Sequence, residues 1–279
     1  MIIPENIRKC VAFLGARRTD GEFVFAGSAF WIGRDPDNAP EGGMLKSPSV
    51  YLATARHVID AVLRLGATDI YLRANLKDGS AAWIKSSIDD WYVHPTDSTI
   101  DIAILKTGIP SEWDHLVIPY SLCITDELIA KHGIDLGDEV FITGLFRHYH
   151  GTRHNIPIVR VGNLASMSED PVQTKSFGLM TAFLIECRSI GGLSGSPVFV
   201  NLGITRLIEG QVKHAAGGQP IFFLIGAIHG HYDVDASQID DGNVDADDLI
   251  GGGKVNTGIA IVTPLHRIRE VIAAFENRS

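Results

Sequence analysis

Gly191-Gly192-Leu193-Ser194-Gly195-Ser196-Pro197-Val198-Phe199 is the stretch on which the reading of this 279-residue chain turns. The glycines around Ser194 let the backbone turn sharply, so the N–H groups of Gly192 and Ser194 are able to converge on one point. A glycine-rich loop with a serine is by itself a common turn. Its weight here comes from two segments upstream. Ala53-Thr54-Ala55-Arg56-His57-Val58 places a histidine just after a short apolar run, and Asp101-Ile102-Ala103-Ile104-Leu105-Lys106 places an aspartate just before one.

Each of the three residue types suits one role in acyl transfer. A serine hydroxyl is a poor nucleophile near neutral pH and needs a group to take its proton as it attacks a carbonyl. Imidazole titrates close to that pH, accepts the proton and returns it to the leaving amine. A buried carboxylate fixes the imidazole tautomer and stabilises the imidazolium. Fixed N–H donors stabilise the oxyanion, each worth about 2.7–4 kcal/mol of barrier. Ser194 is thus the candidate nucleophile, His57 the candidate base and Asp101 its orienting partner, with the backbone N–H groups of Gly192 and Ser194 as the oxyanion hole. Asp97 competes with Asp101 for the third role. Asp101 directly precedes the apolar run, so its carboxylate is able to point inward while Asp97 stays in the loop.

With these motifs in the order His, Asp, Ser, the chain resembles the trypsin/chymotrypsin-like serine peptidases, in particular bacterial members such as glutamyl endopeptidases and high-temperature-requirement peptidases. Gly27-Ser28-Ala29-Phe30-Trp31-Ile32-Gly33 resembles the strand before the histidine. Gly258-Ile259-Ala260-Ile261-Val262 with a helix-like tail resembles the end of bacterial members. The resemblance implies two six-stranded antiparallel β-barrels, with the active site in the cleft between them and a C-terminal helix. Residues 1–118 would form the barrel carrying His57 and Asp101. Residues 119–279 would form the barrel carrying Ser194, and the helix. Three departures stand out. Leu193 replaces the aspartate that pairs with a released N-terminus in animal digestive enzymes, Ser196 replaces a glycine, and Val58 leaves no cysteine beside His57.

The strand pattern agrees with an all-β chain independently of the resemblance. Short apolar runs at Cys10–Leu14, Phe23–Ile32, Tyr51–Thr54, Ile70–Arg73 and Asp101–Leu105 alternate with turn-forming clusters. A second series covers Glu139–Thr143, Pro157–Val161, Phe183–Cys187, Pro197–Val200 and Phe222–Ile228. Such spacing predicts a barrel or sandwich. The seam is expected near residues 112–135, with a short helix at Thr125–His132. A longer helix is expected at Pro264–Asn277, with Leu265, Ile268, Val271, Ile272 and Phe275 along one face.

The composition, 45% hydrophobic and 20% charged, is that of a globular chain able to bury a large core. A net charge of -9 argues against a general nucleic-acid binder. No apolar stretch reaches a membrane span of about 18 residues. Met1-Ile2-Ile3-Pro4-Glu5-Asn6 has no secretory pattern. Cys10, Cys123 and Cys187 form neither a disulfide framework nor a metal-ligand spacing, which points to a reducing, cytoplasmic setting. No cofactor and no metal are expected. The expected partner is a protein or peptide substrate, with a regulatory protein left open and no membrane or nucleic acid.

Specificity is less legible. The resemblance places the primary pocket between the segment before the serine and the strand near Ile225–His231, which points to Arg188, Ser189, His229, Gly230 and His231. Arg188 stands where trypsin carries its pocket aspartate, so a preference for Lys or Arg lacks support. His229 assisted by Arg188 would suit an acidic residue before the cut. The aspartate-rich segment 233–254, a solvated insertion or a calcium or gating loop, would oppose that preference. His148, His150 and His154 read as a polar loop, with zinc binding as the alternative. The expected activity is that of a serine endopeptidase. The rival is a catalytically silent peptidase-fold module that binds a protein partner.

Overall fold

Strands β1 (Val11–Arg17) and β2 (Phe23–Arg34) show how the fold is built. Their side chains alternate between two separate apolar clusters. Val11, Phe13, Phe30 and Ile32 enter one, while Ala12, Leu14, Ala29 and Trp31 enter the other. A strand buried on both faces reads as a continuous apolar run, which is what the sequence presents here. The computed structural model describes residues 3–34, 49–168, 170–187, 191–208, 210–215, 221–235 and 254–278.

The first sheet continues through β3 (Ser49–Thr54), β4 (Asp69–Asn75), β5 (Ala81–Ser87), β6 (Trp91–Val93) and β7 (Ala103–Lys106). Its order is β5-β4-β1-β2-β3-β7-β6, with every pair antiparallel. The second half holds β8 (Glu139–Gly144), β9 (Ile158–Ser166), a hairpin of β10 (Val172–Thr174) and β11 (Gly178–Met180), and β12 (Phe183–Glu186). It continues with β13 (Pro197–Asn201), a hairpin of β14 (Thr205–Ile208) and β15 (Gln211–His214), β16 (Phe222–Asp235) and β17 (Lys254–Pro264). Six of these strands close a barrel in the order β12-β17-β16-β13-β8-β9.

The all-β, two-unit architecture with a terminal helix is therefore present, and the second unit closes with six strands as expected. The first differs in detail. It has seven strands, and among the described residues no pairing joins the edge strands β5 and β6. β5, Ala-Ala-Trp-Ile-Lys-Ser-Ser, shows no apolar alternation and has no fully buried residue, so it gave no strand signal.

One cluster crosses the interface between the units, running from Phe13, Phe30 and Tyr51 to Phe141, Phe199 and Ile228. Phe141 and Phe199 stack with centroids 5.0 Å apart. The connecting segment is laced to both units: Ile118 pairs with Trp31 and Gly33, and Ile124 donates to the Leu224 carbonyl. Helix α1 spans Arg56–Arg64. Helix α2 (Asp126–His132) begins at Thr125, whose side chain accepts from the Leu128 N–H at 3.2 Å, and ends at left-handed Gly133.

Helix α3 (Leu265–Glu276) buries Leu265, Ile268, Val271 and Ile272, each worth about 1.5–3 kcal/mol. Its far end reaches the first sheet, where Glu276 accepts from the Tyr51 hydroxyl at 2.7 Å and pairs with Arg34. The three cysteines are buried. No helix among the described residues is long and apolar enough to cross a membrane.

Candidate active site

The apolar end of β3 delivers the chain into α1. Ala55 is the extended N-cap, so Arg56 and His57 form the first turn, where backbone N–H groups have no partner within the helix. The His57 N–H donates instead to Asp101 Oδ1 at 2.9 Å. A carboxylate there also meets the positive end of the helix dipole. The His57 ring then places Nδ1 2.8 Å from the other oxygen, Oδ2. Asp101 thus holds His57 by backbone and ring together.

Asp101 reaches that position because Ile100 and Ile102 on either side are buried at 2% and 0% exposure, dragging the carboxylate inward. Asp97 has a different task. It accepts from the Thr99 N–H at 2.9 Å and the Thr99 hydroxyl at 2.6 Å, closing the loop before the strand. Of the two aspartates, Asp101 is the one in contact with His57.

Asp101 carries a second imidazole. His229 Nδ1 lies 2.5 Å from the same Oδ2, and the two rings meet edge to face at 5.3 Å. His229 sits on β16 where the β16–β17 register shifts between Ile228 and Gly230. That bulge re-aims the side chain toward the carboxylate. Burial would raise the pKa of Asp101, but the charges and hydrogen bonds of His57 and His229 outweigh it and hold the carboxyl below its usual range. Burial would likewise lower the pKa of His57, yet the charge and hydrogen bond of Asp101 win and raise it.

His57, Asp101 and His229 are also the only group among the described residues whose spacing would admit a metal ion. The N···O separations of 2.8 and 2.5 Å are hydrogen-bond lengths. Two donors on one tetrahedral zinc would stand roughly 3.3 Å apart. The existing hydrogen bonds account for the cluster without an ion. His148, His150 and His154 form no such group, and His150 turns its Nδ1 to the Arg147 carbonyl at 2.8 Å.

The turn that carries Ser194 is tied to both units. Ser28 of β2 donates its N–H to the Ser194 carbonyl at 2.9 Å and its hydroxyl to the Gly192 carbonyl at 3.0 Å. Gly195 donates to Ile228 of β16. Gly192 and Gly195 have φ of 108° and 79°, values that a side chain disfavours. No described residue accepts from the N–H of Gly192 or Ser194. Ser196 is buried against Gly144, where an added Cβ would fall on the Ser196 hydroxyl. Leu193 is fully buried, as an apolar wall rather than an ionic one.

Ser194 and His57 line one cleft of about 610 Å³, with His229, Gly230 and His231 along its β16 wall. The Ser194 hydroxyl, however, donates to the His229 carbonyl at 3.3 Å. Among the described residues no hydrogen bond joins it to His57. Of the pocket residues expected from sequence, His229 is partly taken up: its Nδ1 serves Asp101 and is not free for a substrate carboxylate. His231 Nε2 pairs with Asp233 at 3.1 Å. Arg188 and Ser189, and residues 236–253 of the aspartate-rich segment, lie outside the described residues. The role of His229 on Asp101 is what sequence reasoning missed, because it depends on the bulge.

No protein-family model and no curated protein sequence matches the chain. Among solved structures it is similar to that of Deg5, over 80% of this chain and 80% of that one, at 14% identity and a TM-score of 0.44. It is also similar to Rv3671c from M. tuberculosis H37Rv, in an inactive serine-to-alanine mutant form. That likeness covers 98% of this chain and 90% of the other, at 13% identity and a TM-score of 0.47.

Proposed function

We propose that this protein is a serine endopeptidase that cleaves peptide bonds through an acyl-enzyme. The observation that carries the reading is the Asp101 carboxylate gripping both the backbone and Nδ1 of His57 at the mouth of a cleft that Ser194 also lines. With Nδ1 committed as donor, Nε2 is left unprotonated and facing no described partner, the tautomer a general base requires.

In this reading a substrate carbonyl enters beside Ser194, and the hydroxyl leaves the His229 carbonyl for His57 Nε2. The Oγ–C bond forms as the proton passes to Nε2. The oxyanion is received by the unused N–H groups of Gly192 and Ser194. Collapse breaks the C–N bond, and the imidazolium gives its proton to the departing amine. Water then repeats the sequence and frees the new carboxyl terminus. The weak 3.3 Å contact at Ser194 is a small cost against this, since a neutral hydrogen bond contributes about 0.5–1.5 kcal/mol.

Fluorophosphonate labelling followed by peptide-library digestion tests the proposal. Wild type is expected to label and cleave, and Ser194→Ala to lose labelling and about 10⁶ in turnover. A wild-type protein that neither labels nor cleaves would mark the fold as a silent binding module.

A further inference from the structure

A second cleft, of about 720 Å³, lies beside the nucleophile turn and is lined by Arg17, Arg18, Phe23, Phe25, Leu65 and Arg147 but by no residue of β16. Two elements connect it to the candidate active site. β2 forms its wall at Phe23–Phe25, and two residues further on Gly27 meets the turn. A Cβ on Gly27 would lie 2.9 Å from the Ser194 carbonyl oxygen and 2.7 Å from Val58 of α1. Arg147 is the second link. Its Nη2 donates to the Ala26 carbonyl at 2.9 Å, and its Cγ lies 3.1 Å from the Cβ position of Gly192. A strand rises roughly 3.3 Å per residue and the bulge at Ala26 shortens the path, so Phe25 and Phe23 stand roughly 5 and 12 Å from Gly27. That is the reach of the second to fourth residue of an extended peptide leading away from Ser194.

The cleft carries positive charge that the protein leaves unneutralised, against a net charge of -9 for the whole chain. Arg17 holds only the Gly21 carbonyl, at 3.1 Å, and lies 5.7 Å over the Phe23 ring. Arg147 holds only the Ala26 carbonyl. Neither has a carboxylate partner among the described residues. Arg18 reaches Asp20 at 3.6 Å, and Asp69 of the adjoining wall is occupied by Lys85 at 2.9 Å. The apolar floor is firm, because Phe23 stacks on Trp83 at 4.5 Å. A guanidinium over a firm aromatic surface suits a carboxylate side chain on an otherwise apolar peptide.

We propose that this cleft binds acidic residues of the substrate downstream of the scissile bond, so that Asp or Glu at the second to fourth position after the cut is preferred. The inference rests on the peptidase reading, in which the β16 side of the cleft takes the residues before the cut.

The test uses quenched peptides that share their residues before the cut and carry Glu, Gln or Lys at those downstream positions. The readout is the ratio of kcat/KM for Glu over Gln within each protein, so any loss of folded material cancels. Wild type is expected to give a ratio of about tenfold at low salt, since each exposed pair is worth up to about fivefold. The ratio should shrink as salt is added and fall to about one in Arg17→Gln/Arg147→Gln. Cleavage with no preference in wild type, or with a preference that survives the double substitution, overturns the inference and leaves the peptidase reading standing. Absence of both cleavage and fluorophosphonate labelling in wild type removes that reading, and the inference with it.

Discussion

His57 and Ser194 border the same cleft but are held in different ways. His57 is fixed through its backbone and Nδ1 to a carboxylate of 0% exposure, at the N-terminus of a helix that has a spare N–H to give. Ser194 has its backbone fixed by Ser28 and Gly195 by Ile228, while its hydroxyl rests on the His229 carbonyl. The His57 half is held through backbone and ring alike. Around Ser194 only the backbone is held, and in the proposed mechanism its hydroxyl has to leave the His229 carbonyl before it meets Nε2. A hydroxyl rotor is cheap to move, whereas a buried charge is expensive to reposition. The molecule fixes the costly element and leaves the cheap one to turn.

Short of removing the Ser194 hydroxyl itself, the largest effect is expected from the half that is fixed. Asp101→Asn keeps the shape but replaces one carboxylate oxygen with an amide donor. One oxygen still serves the His57 N–H, so the amide N–H₂ faces Nδ1 and forces the proton to Nε2. The base is then blocked, and kcat/KM is expected to fall by about 10⁴. Steady-state cleavage of the best library peptide measures it. A loss under tenfold would mean that the grip on His57 is structural and not catalytic.

The turn that carries Ser194 gives the next largest effect. Gly195→Ala must hold a side chain at φ 79°, with Cβ 2.3 Å from the Ser28 carbonyl oxygen and 2.4 Å from Thr54 Oγ1. Backbone strain and overpacking together are expected to cost about 3 kcal/mol or more in urea denaturation. Gly191→Ala is the matched control, because its Cβ would meet nothing within 4 Å. Equal stability of the two variants would contradict the packing of the turn against β2 and β3.

The parts that were legible in sequence are those whose signals are local. Ser194 between glycines, His57 after β3 and Asp101 between two buried isoleucines each announce themselves within about six residues, and the structure brings His57 and Asp101 into contact. Helix α2 was expected at Thr125–His132 and lies at Asp126–His132, and α3 was readable from the apolar face ending at Phe275. His229 was not, since a single bulge decides which way its imidazole points, and a sequence carries no mark of that register. The arginine-lined cleft was equally hidden. Arg17, Leu65 and Arg147 come from three separate segments and meet only after the two units pack.

His229 supplies the smallest and most discriminating effect. Since Asp101 outweighs burial and raises the pKa of His57 above 6.5, free base appears only as pH climbs through that raised value, and the acid limb of kcat/KM should have its midpoint above 6.5. His229→Ala removes one donor from Oδ2. The carboxylate charge is then less shared, the His57 imidazolium is stabilised further, and the limb is expected to move to still higher pH. With less free base and a looser carboxylate, kcat at pH 7 should fall by about tenfold while KM changes little, near the lower end of the about 1.5–3 kcal/mol of a charged hydrogen bond. His229→Gln, which keeps an N–H donor, should recover most of the loss. A fall in kcat/KM through KM alone, with the limb unmoved, would instead make His229 a wall of the substrate cleft and leave the orientation of Asp101 to His57.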